Sequence, residues 1–276
     1  MLKGVDSKTD TPHRPLDTTS SNNPADTSSS YTQHPLAPFS AAEYASDGKL
    51  HVLVAASGSV ATIKIPQILR AFSKHPNVSI RVILTTSAKT FLAGQSGEQP
   101  PLQELASTPN VEAIYDDSDE WALPWTRNAP ILHIELRRWA DIMVIAPLSA
   151  NSLAKIVNGI ADGLLTSVVR AWDTDSKVDG PGKAGKKIIV VAPAMNTAMW
   201  RQPVTARQIR ILEEDWGVKS RSADVSSADT EADIDGWFQV LPPIGKLLAC
   251  GDIGLGAMAE WQGIVNVVEA RLGLIR

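Results

Sequence analysis

The 276-residue chain is short of several things, and each shortage removes a class of function. It holds one cysteine, Cys250, so an internal disulfide and a multi-cysteine zinc site are excluded, and a reducing, cytoplasmic setting is expected. Positive charge is not in excess: 26 Lys and Arg stand against 30 Asp and Glu, leaving no basic footprint with which to neutralise nucleic-acid phosphates. No apolar run approaches the roughly 20 residues of a membrane helix, so a soluble chain with no membrane partner is expected. Large apolar residues are scarce over residues 1–46, where Ser, Thr, Asp, Asn and Pro dominate. That stretch is expected to be a disordered tail, and its Asp6, Asp10, Asp17 and Asp26 fit neither a secretory signal nor an Arg-rich presequence. The folded domain is expected over 47–276, where a composition that is 43% hydrophobic overall allows one substantial core.

What is present is an alternation of apolar runs and small polar turns. Leu50 to Ala56 reads as a strand that passes through Ser57-Gly58-Ser59-Val60 into a helical pattern from Ala61 to about Ser73. This arrangement turns free backbone amides toward a phosphate. The turn is neither GxGxxG nor a Walker loop, and alone it reads more readily as a plain strand-to-helix connection. Ser79 to Thr85 forms a second strand ending in Thr86-Ser87-Ala88-Lys89, and a third is expected at Val111 to Tyr115. Ile142 to Ala146 is an apolar run ended by Pro147; Ser149-Ala150-Asn151-Ser152 then opens a helix whose Leu153, Ile156, Val157 and Ile160 recur at helical spacing. Lys187 to Ala192 leads in the same way to Pro193-Ala194-Met195-Asn196. Runs of this kind are best buried on both faces, so the expected fold is α/β, a flavodoxin-like or Rossmann-like three-layer sandwich around a parallel sheet. A ligand is expected where the four strand-end turns converge.

Other segments read less specifically. Residues 173–187 and 220–235 look like flexible polar insertions. The run Asp116 to Glu120, with Trp121 and Trp125, reads as a solvated acidic loop whose tryptophans cover the core. His133 opens the segment HIELRRWAD and is placed to bring an imidazole to the ligand end of the sheet, although a histidine at a helix start is commonly a cap or a surface residue. Cys250 lies in a Gly-rich flap from Leu247 to Glu260, although a lone cysteine is commonly a small buried hydrophobe. Asn196 also fits a helix cap. Arg137 and Arg138 suit either a substrate phosphate or a subunit contact, the contact being preferred.

Three segments are far more specific together than apart. LHIELRRWADIMVIAPLSANSLAKIVNGIADGLLTSVVRAW, VAPAMNTAMW and LACGDIGLGAMAE closely resemble the phosphopantothenoylcysteine decarboxylase branch of the flavin-dependent cysteine decarboxylase family, over roughly residues 50–272 apart from the two insertions. The resemblance implies FMN as cofactor, held at the subunit boundaries of a homotrimer or of a heterotrimer with paralogues. It implies a small-molecule substrate, 4'-phosphopantothenoyl-L-cysteine, decarboxylated to 4'-phosphopantetheine in coenzyme A biosynthesis. Gly58, Ser59 and Val60 match the family's first FMN-binding turn and Ser87 falls in the second. Ser149, Ala150, Asn151 and Ser152 match the third, with Ser152 in place of the usual Thr. Ala194 matches a flavin contact and Asn196 the substrate-binding asparagine. His133 matches the essential histidine and Cys250 the flap cysteine, with Ala249 and Met258 where the flap touches substrate.

The implied reaction makes sense of these residue types. A carboxylate beside an ordinary amine carbon has no electron sink, and oxidation at the thiol-bearing carbon by FMN supplies one. A thiol such as Cys250, with a reference pKa of about 8.5, is a neutral acid near pH 7 and suits a late protonation. His133 is expected to assist thiol deprotonation or to orient the carboxylate, and the Asn196 amide to hydrogen-bond that carboxylate. A rival reading comes from fungal relatives that act as inhibitory subunits of a protein phosphatase. Those tend to lack one catalytic residue and to carry an acidic C-terminal tail. Here His133, Asn196 and Cys250 coexist and no such tail precedes Arg276, so the enzyme is preferred, with the N-terminal stretch and the insertions as places where a phosphatase could dock.

Overall fold

The apolar runs become one sheet in the computed structural model, which describes residues 39–122, 124–218, 236–247 and 253–275. Its strands are β1 (Leu50–Ala56), β2 (Val78–Leu84), β3 (Val111–Tyr115), β4 (Ile142–Leu148), β5 (Ile188–Pro193) and β6 (Phe238–Val240), all parallel, in the order β3-β2-β1-β4-β5-β6. The order reverses between β1 and β4, and such a switch point opens a crevice at the carboxyl ends of the two strands. β4 does not stop before Pro147, as the sequence suggested, but runs through it to Leu148. The register with β5 shifts between Ile145 and Leu148, so the ladder does not need the N–H that proline lacks.

Alternation along each strand divides the core in two. Val52, Val54, Val82, Val144, Ala146 and Val190 face α1 (Ile65–Phe72) and α9 (Trp261–Arg271). Leu53, Ala55, Met143, Ile145, Ile189 and Val191 face the layer formed by α4 (Leu132–Trp139), α5 (Ala150–Val157), α6 (Leu164–Arg170) and α8 (Pro203–Arg210). At roughly 1.5–3 kcal/mol for each large side chain fully buried, this double burial is what holds the strand ends in place. A two-stranded antiparallel hairpin, β7 (Ile244–Leu247) with β8 (Ile253–Ala257), stands apart from the sheet.

Two expectations about the surface are corrected. Residues 39–46, assigned to the tail, are packed: the Arg81 guanidinium carbon lies 4.0 Å from the Phe39 ring centroid and 4.9 Å from that of Tyr44. Two aromatics within eight residues suffice to anchor a segment that is otherwise polar. Just beyond it, Asp47 joins the buried His51 ring at 2.9 Å and Lys183 at 3.0 Å. Burial opposes ionisation of Asp47, yet these hydrogen bonds and that from the Lys49 N–H hold its carboxyl well below the usual carboxylate range. A depressed carboxylate stabilises the fold above about pH 4, the unfolded range, and that contribution is lost as acid protonates it. Residues 1–38, and the insertion at 220–235, lie outside the described residues.

The segment 173–187 is a fastened loop rather than a loose insertion. Asp173 accepts the N–H groups of Val178 (3.1 Å) and Asp179 (2.7 Å), and Asp141 accepts that of Lys183 (2.8 Å). Lys187 is buried, which lowers its pKa, and donates to the last carbonyls of α4 at Arg137 (3.2 Å) and Arg138 (2.8 Å). Arg137 is spent within the chain as well, on Asp179 (2.8 Å) and the Ala171 carbonyl (2.9 Å), and Arg138 on Glu135 (2.7 Å). Asp173 and Lys187 are spent on backbone groups and Asp179 on Arg137, while Asp175 and Lys177 pair with each other at the surface.

Phe39→Ala removes the ring against Arg81 and is expected to lower the unfolding free energy by about 1–3 kcal/mol in denaturant titrations. An unchanged midpoint would show that residues 39–46 contribute nothing to the fold.

Candidate active site

The turns after β1 and β4 are joined by one buried serine. Ser57 Oγ donates to the Pro147 carbonyl (3.0 Å) and accepts the Ser149 N–H (2.8 Å), while the Ser57 N–H also reaches the Pro147 carbonyl (3.0 Å). On the other side, the Ala194 N–H donates to the Leu148 carbonyl at 2.9 Å, fixing the turn after β5 to that after β4. Gly58 then lets the first turn touch the second, because a Cβ on it would lie 2.5 Å from Ser87 Cβ. Each turn starts a helical segment capped by its own side chain: Ser59 accepts from Ala61 (3.4 Å), Thr85 from Ala88 (3.2 Å), Ser149 from Ser152 (3.3 Å) and Asn196 from Met199 (2.8 Å). In α5 the N–H groups of Ala150 and Asn151 have no partner within the helix, as first-turn amides never do.

These turns enclose a cavity of about 970 Å³, near the upper end of the roughly 300–1,000 Å³ typical of small-molecule sites. Its lining includes Gly58, Ser59, Val60, Ser87, Ser149, Ala150, Asn151, Ser152, Ala194, Asn196 and Met258, which the sequence singled out. His133 is not among the lining residues. It stands at the start of α4 with its Nδ1 2.6 Å from Glu120 Oε1. Cys250 and Ala249 lie outside the described residues.

Several lining residues escaped the sequence. Thr85 and Thr86 carry the same strand-end hydroxyl signal that pointed to Ser87. Asp117 has no such signal: its Oδ1 accepts the Leu164 N–H (2.8 Å) and so caps α6 from a distant loop. Gly163 permits that approach, since a Cβ there would meet Asp117 Oδ1 at 2.7 Å. Lys155 and Asp162 pair on the rim at 2.8 Å, and the ammonium, by that hydrogen bond, holds the Asp162 carboxyl below its usual range. The acidic loop is therefore not simply solvated. Asp116 pairs with Lys89, Asp117 caps α6 and Glu120 meets His133, whereas Trp121 (66% exposed) and Trp125 (55% exposed) face outward rather than over the core.

The hairpin closes one side of the cavity. The Met195 N–H donates to the Gly256 carbonyl at 2.9 Å. Gly256 has φ +118°, and a Cβ on it would lie 2.4 Å from the Met195 carbonyl oxygen; one on Gly254 would lie 2.5 Å from Thr197 Oγ1. The hairpin backbone thus packs directly on the Met195 backbone and on the Thr197 side chain, and Met258 follows into the lining, 5% exposed.

A family model described as Flavoprotein matches residues 40–273. The chain belongs to the Flavoprotein family. Within the family, the phosphopantothenoylcysteine decarboxylase of Mus musculus is 38% identical over 238 residues, which cover 86% of this chain and 95% of the mouse protein. A probable phosphopantothenoylcysteine decarboxylase of Arabidopsis thaliana is 42% identical over 222 residues, 80% of this chain and 88% of the relative. A probable thymidylate synthase of Schizosaccharomyces pombe is 40% identical over 228 residues, which cover 83% of this chain but span only 30% of that protein. Among solved structures, a cysteine-to-serine mutant of PPC decarboxylase complexed with pantothenoylaminoethenethiol is similar at a TM-score of 0.59, with 39% identity over 80% of this chain and 97% of the other. The FMN binding protein AtHal3 is similar at a TM-score of 0.58, with 38% identity over 83% and 99%. Among the described residues no group of His, Cys, Asp and Glu side chains is placed to hold a metal ion, and no helix is long and apolar enough to cross a membrane.

Gly256→Ala is expected to lift the hairpin from the turn after β5. Amide exchange over 244–247 and 253–257 would then quicken at least about tenfold while the sheet keeps its protection. Unchanged protection in the hairpin would contradict the close packing described.

Proposed function

We propose that this flavoprotein is an FMN-dependent decarboxylase that converts 4'-phosphopantothenoyl-L-cysteine to 4'-phosphopantetheine, a cytoplasmic step of coenzyme A biosynthesis. The observation that carries the reading is the cavity at the β1–β4 switch point, whose lining contains every residue matched to the family's flavin-binding turns. The residues suit FMN chemically. Charged lining side chains nearly balance, with Lys64 and Lys155 against Asp117, Asp162 and Glu260, so attraction for a phosphate rests on helix N-terminal amides and on Ser and Thr hydroxyls. Ala194, Met195, Leu165 and Met258 offer an apolar wall to a planar ring.

Bound FMN supplies reversible two-electron oxidation at the thiol-bearing carbon of the substrate, and this creates the electron sink that loss of carbon dioxide requires. The chain's residues orient the substrate and move protons. Asn196 Oδ1 is committed to the Met199 N–H, so its amide NH₂ is left to donate to the substrate carboxylate and hold it without neutralising it. His133 accepts the thiol proton, and the Cys250 thiol gives a proton back after decarboxylation. His133 lies outside the cavity lining of its own chain. In the trimer implied by the family resemblance, with FMN at subunit boundaries, His133 of one copy completes the cavity of the next.

Purified protein incubated with 4'-phosphopantothenoyl-L-cysteine is expected to form 4'-phosphopantetheine by mass spectrometry, while Cys250→Ser stalls at a decarboxylated, still oxidised product. His133→Asn and Cys250→Ser chains, each defective alone, are expected to regain part of the activity when co-expressed, because some sites then draw their intact residues from different copies. Flavin binding without product formation would instead favour the phosphatase-inhibitory reading.

A further inference from the structure

The acidic loop after β3 places a carboxylate on the ring of His133. Glu120 Oε1 lies 2.6 Å from His133 Nδ1, and Glu120 Oε2 accepts the His133 backbone N–H at 3.1 Å. One carboxylate therefore holds both the ring and the backbone of the same residue, fixing the imidazole against the first turn of α4. The Glu120 side chain is 5% exposed and that of His133 22% exposed, so the pair is shielded from water on the glutamate side and open on the imidazole side. The neighbouring acids are engaged elsewhere: Asp119 Oδ2 accepts the Asp116 N–H at 2.7 Å, Asp116 pairs with Lys89, and Asp117 caps α6.

An ionised carboxylate only accepts hydrogen bonds, so the short contact is an Nδ1–H donating to Glu120, and the neutral ring carries its lone pair on Nε2. We propose that Glu120 is a positioning residue that holds His133 as the Nδ1–H tautomer, with Nε2 presented as the acceptor of the substrate's thiol proton. When Nε2 takes that proton, the adjacent buried carboxylate stabilises the resulting imidazolium. Glu120 touches neither substrate nor cofactor in this role. The inference rests on the decarboxylase reading for the role of His133, but the tautomer itself does not depend on that reading.

The test uses the flavin-loaded protein and two readouts. In long-range ¹⁵N NMR of histidine-labelled protein, above the ordinary imidazole titration range, the ring that disappears in His133→Asn is expected to show a protonated Nδ1 and an unprotonated Nε2. Glu120→Gln keeps the shape but can turn either its oxygen or its nitrogen to the ring, so both tautomers become accessible. That variant is expected to lose roughly 10- to 100-fold in kcat with KM and FMN content unchanged, part of the 10²–10⁴ that a positioned base supplies. An Nε2–H ring in the wild type overturns the proposal, as does a Glu120→Gln enzyme with wild-type kcat. If the ring shows the expected tautomer while the wild type forms no product, the positioning stands and the decarboxylase reading fails. If product forms and Glu120→Gln is indistinguishable from wild type, the positioning fails and the decarboxylase reading stands. Should Glu120→Gln fail to fold, the wild-type NMR signature alone decides.

Discussion

The hydrogen bonds of Ser57 bind together the two halves of the sheet where their chain directions of travel part. Ser57 is 1% exposed, and its hydroxyl serves the Pro147 carbonyl and the Ser149 N–H at once, so the turn after β1 and the start of α5 form one body. Removing it would strand the buried Ser149 N–H, at about 1–3 kcal/mol for an unsatisfied group, while the Pro147 carbonyl would keep the Ser57 N–H. The rest of the cavity is built outward from this joint. Gly58 seats the second turn on the first, the Ala194 N–H ties the turn after β5 to the end of β4, and Gly256 seats the hairpin on Met195. A single rigid shelf results, lined by small side chains and helix N-termini, at the place where a doubly wound sheet receives its ligands.

This shelf was legible in the sequence because its signals are local. Each turn follows an apolar run within a few residues, and each carries Ser, Thr, Gly or Asn for a reason that acts within the same turn, as a cap or as a close approach. The residues that could not be read are those delivered from elsewhere in the chain. Asp117 is polar in a polar loop, and nothing nearby shows that it caps α6 some fifty residues later. Residues 39–46 resemble the polar stretch before them, and only the tertiary placement of Arg81 reveals why Phe39 and Tyr44 hold. The loop 173–187 misled for the converse reason: Asp173 and Lys187 read as part of a flexible polar insertion until their partners, the backbone amides of the loop itself and the carbonyls ending α4, are in place.

The same division separates the parts of the proposed mechanism. Cofactor binding is assigned to one chain's shelf, whose strand-end turns were legible from periodicity, while FMN itself was implied only by the family resemblance. Proton transfer is assigned in the proposal to His133, which the fold sets beside Glu120 and outside the lining of its own cavity. Asn196 belongs to both groups, since the bond that caps α7 (Thr197–Arg201) also fixes the amide direction that substrate binding needs.

Whether the β1–β4 shelf holds a flavin phosphate is decided by fluorescence titration of flavin-free protein with FMN and with riboflavin. A phosphate site gives saturation at one FMN per chain and at least about tenfold weaker binding of riboflavin, which lacks the phosphate for the helix N-termini. Equal affinity for the two, or no saturable binding of FMN, would contradict it.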